Sequence, residues 1–192
     1  KKISAVSLML SGILISAQSQ NSQGTKKQAP AAASLTLNSQ QDVTLEASKS
    51  TEIQKVYNAY FVMKEALVSS DPKAVQKSAQ DFLVATSAVD MAALASNEHI
   101  AWMKAFSQLT AEAKTIAAVS DINKQRKSFA SLSASLAELM KTIAPQQAVY
   151  LQHCPMFNNG KGADWMSLQA KIRNPYYGNQ MLSCGNTVET IK

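Results

Sequence analysis

Glycine is spread very unevenly along this chain, and that constrains the fold more than any single motif does. Four of the six glycines (Gly160, Gly162, Gly178 and Gly185) lie beyond residue 145. The body before them is rich in Ala, Ser, Gln and Lys, and only 6% of the residues are aromatic. Few Gly and Pro with much Ala favour helix over a sandwich or a barrel. Hydrophobic residues make up 46%, enough for a core, and 192 residues fit one domain with tails.

Four helical patterns follow one another. The first spans about residues 51 to 69, with Ile53, Val56, Tyr57, Tyr60, Met63, Lys64 and Leu67 at three- and four-residue steps. The second opens at Asp71 as N-cap with Pro72 at the first helical position, and its stripe is Val75, Ala79, Phe82, Leu83, Thr86 and Val89. The third starts near Asn97, with Glu98 in the first turn and a face of Ile100, Met103, Phe106, Leu109, Ala113, Ile116 and Ala117. The fourth is capped by Asp121, carries Ile122, Phe129, Leu132, Leu136, Leu139, Met140 and Ile143, and is stopped by Pro145. Short connections imply antiparallel neighbours. The expected fold is all-α: an up-down four-helix bundle over residues 48–144, with an irregular, turn-rich Cys/Met tail, residues 145–192, packed on it in the same domain. Short extended pieces are expected at "AVYLQH" and "NTVETI".

The N-terminus reads as an export signal. Lys1 and Lys2 precede an apolar run that ends in small residues, and cleavage is expected near Ala17. Residues 1–17 are therefore assigned to a signal peptide, which leaves no stable membrane span after cleavage. Residues 18–47, rich in Gln, Ser, Ala and Asn, are assigned to a flexible linker, with "DVTLEASKS" adding an extended piece. A periplasmic or otherwise exported protein follows, in a compartment that permits disulfides. The net charge of +6 comes from scattered Lys and Arg with no basic stripe interleaved with aromatics, which argues against nucleic acid.

The tail holds the chemistry. The only two cysteines fall in "HCPMFNNGKGADWMS" and "MLSCG". Five soft or borderline metal ligands stand here: His153, Cys154 and Met156 in the first run, and Met181 and Cys184 in the second, with His153 as the additional, borderline one. Thiolate and thioether are soft donors that select Cu(I) or Ag(I). The spacings C-x-M and M-x-x-C let two short segments each present a pair of sulfurs. A Cys154–Cys184 disulfide is the alternative, because one bridge is the default for two cysteines in an exported chain. A loop of that size stabilises by roughly 3–4 kcal/mol in the chain-entropy picture. Trp165, Tyr176 and Tyr177 serve to anchor the tail or shield a metal, and Asp164 and Arg173 are candidates to pair. No acid is expected to orient His153, and there is no C-x-x-C, so the chain is read as a non-enzyme. His99 is read as a surface or core-edge residue, and Met63 and Met140 as core.

"YNAYFVMKEALVSSDPKAVQKSAQDF" together with "YLQHCPMFNNGKGADWMS" and "IRNPYYGNQMLSCG" resembles an exported domain-of-unknown-function family, also found fused to periplasmic adaptor subunits of copper/silver efflux systems. The likeness covers about residues 50 to 190, with the tail as its more specific part. By position it carries over His153, Cys154, Pro155, Met156, Gly162, Ala163, Asp164, Trp165, Asn174, Pro175, Tyr176, Gly178, Met181, Cys184 and Gly185. The resemblance implies a periplasmic heavy-metal-handling module: a Cu(I)/Ag(I) chaperone or scavenger whose partner is an efflux adaptor or another periplasmic protein. The adaptor's hairpin and barrel have no counterpart here. The competing reading is a helical binding or structural module whose tail is locked by the disulfide.

Overall fold

Three of the four helices start where an acidic side chain can hold the first free amide groups. The computed structural model describes the backbone from residue 39 and side chains from residue 52. The expected signal peptide, and the expected linker as far as residue 38, lie outside the described residues. Helix α2 (Pro72–Ser87) begins at Asp71, whose Oδ1 accepts from Lys73 N and Ala74 N at 3.0 and 3.1 Å. Helix α4 (Ile122–Thr142) begins at Asp121 in the same way, with Asn123 N at 2.8 Å and Lys124 N at 3.3 Å. Helix α3 (Ser96–Ala118) has an alanine at its cap, and Glu98 Oε2 accepts instead from Ala95 N at 3.1 Å. Asp71 and Asp121 are the caps that the sequence predicts, and Glu98 lies in the first turn of α3 as expected.

Helix α1 (Ser39–Val68) is longer than expected, and it runs through residues assigned above to the linker and to an extended piece. Residues 39–68 contain neither Gly nor Pro, so nothing in the sequence interrupts the helix. Ser70 ends it in the left-handed region (φ 56°), where Ser70 N donates to Leu67 O and Asp71 N to Ala66 O.

The predicted stripes of α1, α2 and α4 face inward. Ile53, Val56, Tyr57, Tyr60, Met63, Leu67, Val75, Ala79, Phe82, Phe129, Leu132, Leu136 and Met140 are all buried. The predicted face of α3 is buried over most of its length: Leu109, Ala113 and Ile116 are buried, and Phe106 and Ala117 pack against the core. Its first turns are corrected: Ile100 and Met103 are exposed, and Trp102 and Ala105 are buried in their place. His99 lies exposed, its Nδ1 against Met91 O.

The tail is not irregular. It forms an antiparallel sheet of β1 (Val149–Cys154), β2 (Ala163–Ser167) and β3 (Asn186–Ile191), in the order β2-β1-β3. The all-α expectation is corrected on this point: the protein is mostly helical with a small C-terminal sheet. Two of the three strands fall on the expected extended pieces, and β2, "ADWMS", was not foreseen. Its hairpin with β1 turns through Asn158 and Asn159, both left-handed, and Gly160. Asn-Gly is a strong hairpin signal.

Successive helices pack on one another, and β2 lies on α4. Tyr60 of α1 ties the layers together. Its ring stacks on Phe129 of α4 at 5.0 Å, its hydroxyl lies 2.8 Å from Ser133 Oγ, and the same oxygen accepts from Met166 N of β2 at 3.1 Å. Arg126 does similar work nearby. From α4 it donates to Pro175 O in the tail, to Leu67 O at the end of α1, and to Ser70 Oγ.

Candidate functional site

Cys154 ends β1 and Cys184 stands two residues before β3, so the sheet itself brings them together. β1 and β3 are hydrogen-bonded neighbours, with His153 opposite Asn186. Gly185 makes the close approach possible: at φ +134° it lies where an added Cβ would sit 2.6 Å from His153 O and 2.9 Å from Trp165 Cη2. The two sulfurs are 3.9 Å apart and not bonded to each other. Cys154 is buried and Cys184 half-buried. Desolvation, then the hydrogen bond and charge of the Cys154 sulfur, push the Cys184 thiol above its ordinary pKa.

A buried asparagine holds the second cysteine in place. Asn174 Nδ2 donates to Cys184 O at 2.8 Å, its backbone N donates to Leu182 O at 2.8 Å, and its Oδ1 accepts from Tyr176 N at 2.8 Å. Every polar group of this side chain is thus used within the tail. Tyr176 packs edge-on to Trp165 at 5.9 Å and stacks on Phe157 at 4.3 Å, and its hydroxyl donates to Asp164 O. Burial, first of all, pushes the Tyr176 hydroxyl well above its ordinary pKa, so it stays a donor. Trp165 and Tyr176 are both buried in the core to which Cys154 also belongs.

The five predicted ligands are divided by the strand. Successive side chains on β1 point to opposite faces, so His153 and Cys154 diverge: Cys154 faces the core, and His153 lies part-exposed over Gly162. Among the described residues, no group of three or more His, Cys, Asp or Glu side chains gathers in one place. His153 instead pairs with Asp164 of β2, directly opposite in register, with Nδ1 2.6 Å from Oδ1. The expectation that no acid orients His153 is therefore corrected. So is the expected pairing of Asp164 with Arg173: Arg173 reaches Glu65 of α1 at 3.2 Å. The "NNG" turn was the available signal for the His153–Asp164 pair, because a hairpin centred on Asn158 and Asn159 sets these two residues across from each other.

Met181 begins the turn that delivers Cys184, whose N donates to Met181 O at 3.1 Å. Met156 lies just beyond Cys154 and is exposed; its carbonyl accepts from Tyr177 Oη at 3.0 Å. Two thiols in contact, with two thioethers in the adjoining turns, form a donor set suited to a soft, low-coordinate ion. The same pair can close into a disulfide once the sulfurs approach to about 2.05 Å.

Among the described residues, no helix is long and apolar enough to cross a membrane. No curated protein and no solved structure matches the chain. A family described as a protein of unknown function (DUF3347) matches residues 56–148. That span ends immediately before β1, so the likeness extends over the helices and leaves out the cysteine-bearing tail. Over its helical part, then, this chain is similar to a family of proteins whose function is unknown.

Proposed function

We propose that the protein is an exported, non-enzymatic carrier of Cu(I) or Ag(I), with Cys154 and Cys184 as its principal ligands. The observation that carries this reading is the unbonded pair of sulfurs at 3.9 Å, held by a packed sheet and a buried asparagine. Met181 and Met156, in the turns next to the two cysteines, are the auxiliary thioethers of this reading. His153, turned to Asp164, is a separate feature and is not needed by the thiolate site. The export signal and the resemblance to domains fused to copper/silver efflux adaptors support a chaperone or scavenger role in the periplasm, with an efflux adaptor as the recipient. The test is a titration of the reduced chain with Cu(I) against a competing chelator. One tightly held equivalent is expected. An affinity no better than that of the Cys154→Ser, Cys184→Ser double variant sinks the reading.

The competing reading is a helical interaction module whose tail is held by a Cys154–Cys184 bridge. It draws on the same 3.9 Å contact and on the full burial of Cys154. It predicts a bridge that is quantitative in protein taken directly from the envelope and that persists in mild reductant.

A further inference from the structure

The two sulfurs are not equivalent. Cys154 is fully buried in the core, whereas Cys184 is half-buried in the turn leading into β3. Asn174 holds the backbone of that turn through Cys184 O, and of the two cysteine sulfurs it is Cys184 that a second molecule can approach. We infer that the pair also undergoes thiol–disulfide exchange with an external disulfide. Cys184 is the entry sulfur and Cys154 the resolving one, and the bridge so formed excludes metal. This rests on the soft-metal reading only for its last clause.

The exchange balances without any group the chain lacks except the disulfide itself. The Cys184 thiolate attacks one sulfur of R–S–S–R, forms a mixed disulfide, and expels RS⁻. The Cys154 thiolate then attacks the Cys184 sulfur from 3.9 Å away, closes the intramolecular bridge, and expels the second RS⁻. The protein loses two electrons and two protons, and the external disulfide becomes two thiols. Both lone pairs that would bind a metal ion are then attached to sulfurs that are no longer thiolates, so oxidation and metal loading compete.

The experiment uses the full reduced chain and oxidised glutathione as the external disulfide, followed by mass spectrometry. Wild type should proceed to the internal bridge, and Cys154→Ser should stop at a glutathione adduct on Cys184. Cys184→Ser should remain unmodified over the same period. A brief pulse of alkylating reagent on unsubstituted protein checks the order without relying on the folding of a variant: Cys184 should be labelled at least tenfold faster than Cys154. Faster labelling of Cys154, or an adduct on wild type that never resolves to a bridge, overturns the proposal. The bridged protein should also hold at least tenfold less Ag(I) than the reduced protein in competition with a chelator, and equal retention overturns the exclusion. If the reduced protein binds no Ag(I) at all, the soft-metal reading fails while the exchange chemistry stands on its own labelling data.

Discussion

Asn174 shows how much of the site depends on one side chain. It is buried, and its amide donates to the carbonyl of Cys184 while its carbonyl oxygen fixes Tyr176. Removing it leaves Cys184 O without its donor in a packed turn, at a cost of about 1–3 kcal/mol. Asn174→Ala should lower the urea midpoint accordingly and raise the alkylation rate of Cys184, because the turn loses its anchor. A fall in stability with no change in that rate would show that Asn174 does not position the sulfur. Lys64 is a different case. Its side chain is 2% exposed, and burial pulls its pKa below the ordinary 10.5, against the opposing pull of Glu65. The folded state therefore holds this proton less tightly than the unfolded chain does. The resulting instability is fully present below the lowered folded value and is relieved as pH climbs through it toward 10.5. Lys64→Met should raise the urea midpoint at pH 7 and flatten the alkaline gain in stability. A lower midpoint at pH 7 would mean that the Glu65 contact outweighs the burial. The sequence placed Lys64 on an apolar stripe correctly, but it could not show that Arg173 would come in beside the same carboxylate.

Among the elements, the caps were the most legible feature. Asp71 and Asp121 do what short acidic residues before an apolar stripe are expected to do, because capping is local and depends on a few neighbouring residues. The face of α3 was legible from Phe106 onward but not in its first turns, where Trp102 and Ala105, not Ile100 and Met103, are buried. β2 was hidden for a related reason. "ADWMS" lacks clean alternation, since Trp165, Met166 and Ser167 are all buried between β1 and α4. The elements are joined by Arg126, which bonds the end of α1 and the tail at once. Arg126→Ala should cost about 1–3 kcal/mol, since it leaves buried carbonyls without donors. Asp121→Ala, which removes a cap, should cost about 1 kcal/mol. Chemical denaturation of both variants checks the order, and a larger loss from Asp121→Ala would place the weight on helix formation instead of the junction.

At the scale of the whole molecule, the family match and the packing divide the chain differently. The match stops at residue 148, yet the tail beyond it supplies Val149, Leu151, Cys154, Trp165, Met166, Tyr176 and Ile191 to the core shared with the helices. Each large buried side chain contributes roughly 1.5–3 kcal/mol, so together they are comparable to the whole stability of an ordinary domain. A chain ending at residue 148 should keep much of its helical circular dichroism but lose a cooperative thermal transition and bind hydrophobic dyes. A sharp transition near that of the full chain would show that the helices stand alone. The tail is thus a structural layer as well as the place where its two cysteines, 30 residues apart, meet. The sequence marked those cysteines as one unit but left their surroundings open, because the separation of His153 from Cys154 follows only from strand pairing. X-ray absorption at the copper edge of the Cu(I)-loaded, reduced protein tests the central claim most directly. The account predicts a shell of two to four sulfurs with no imidazole nitrogen, lost in the Cys154→Ser, Cys184→Ser variant. A shell built on histidine nitrogen, or one unchanged in that variant, would contradict it.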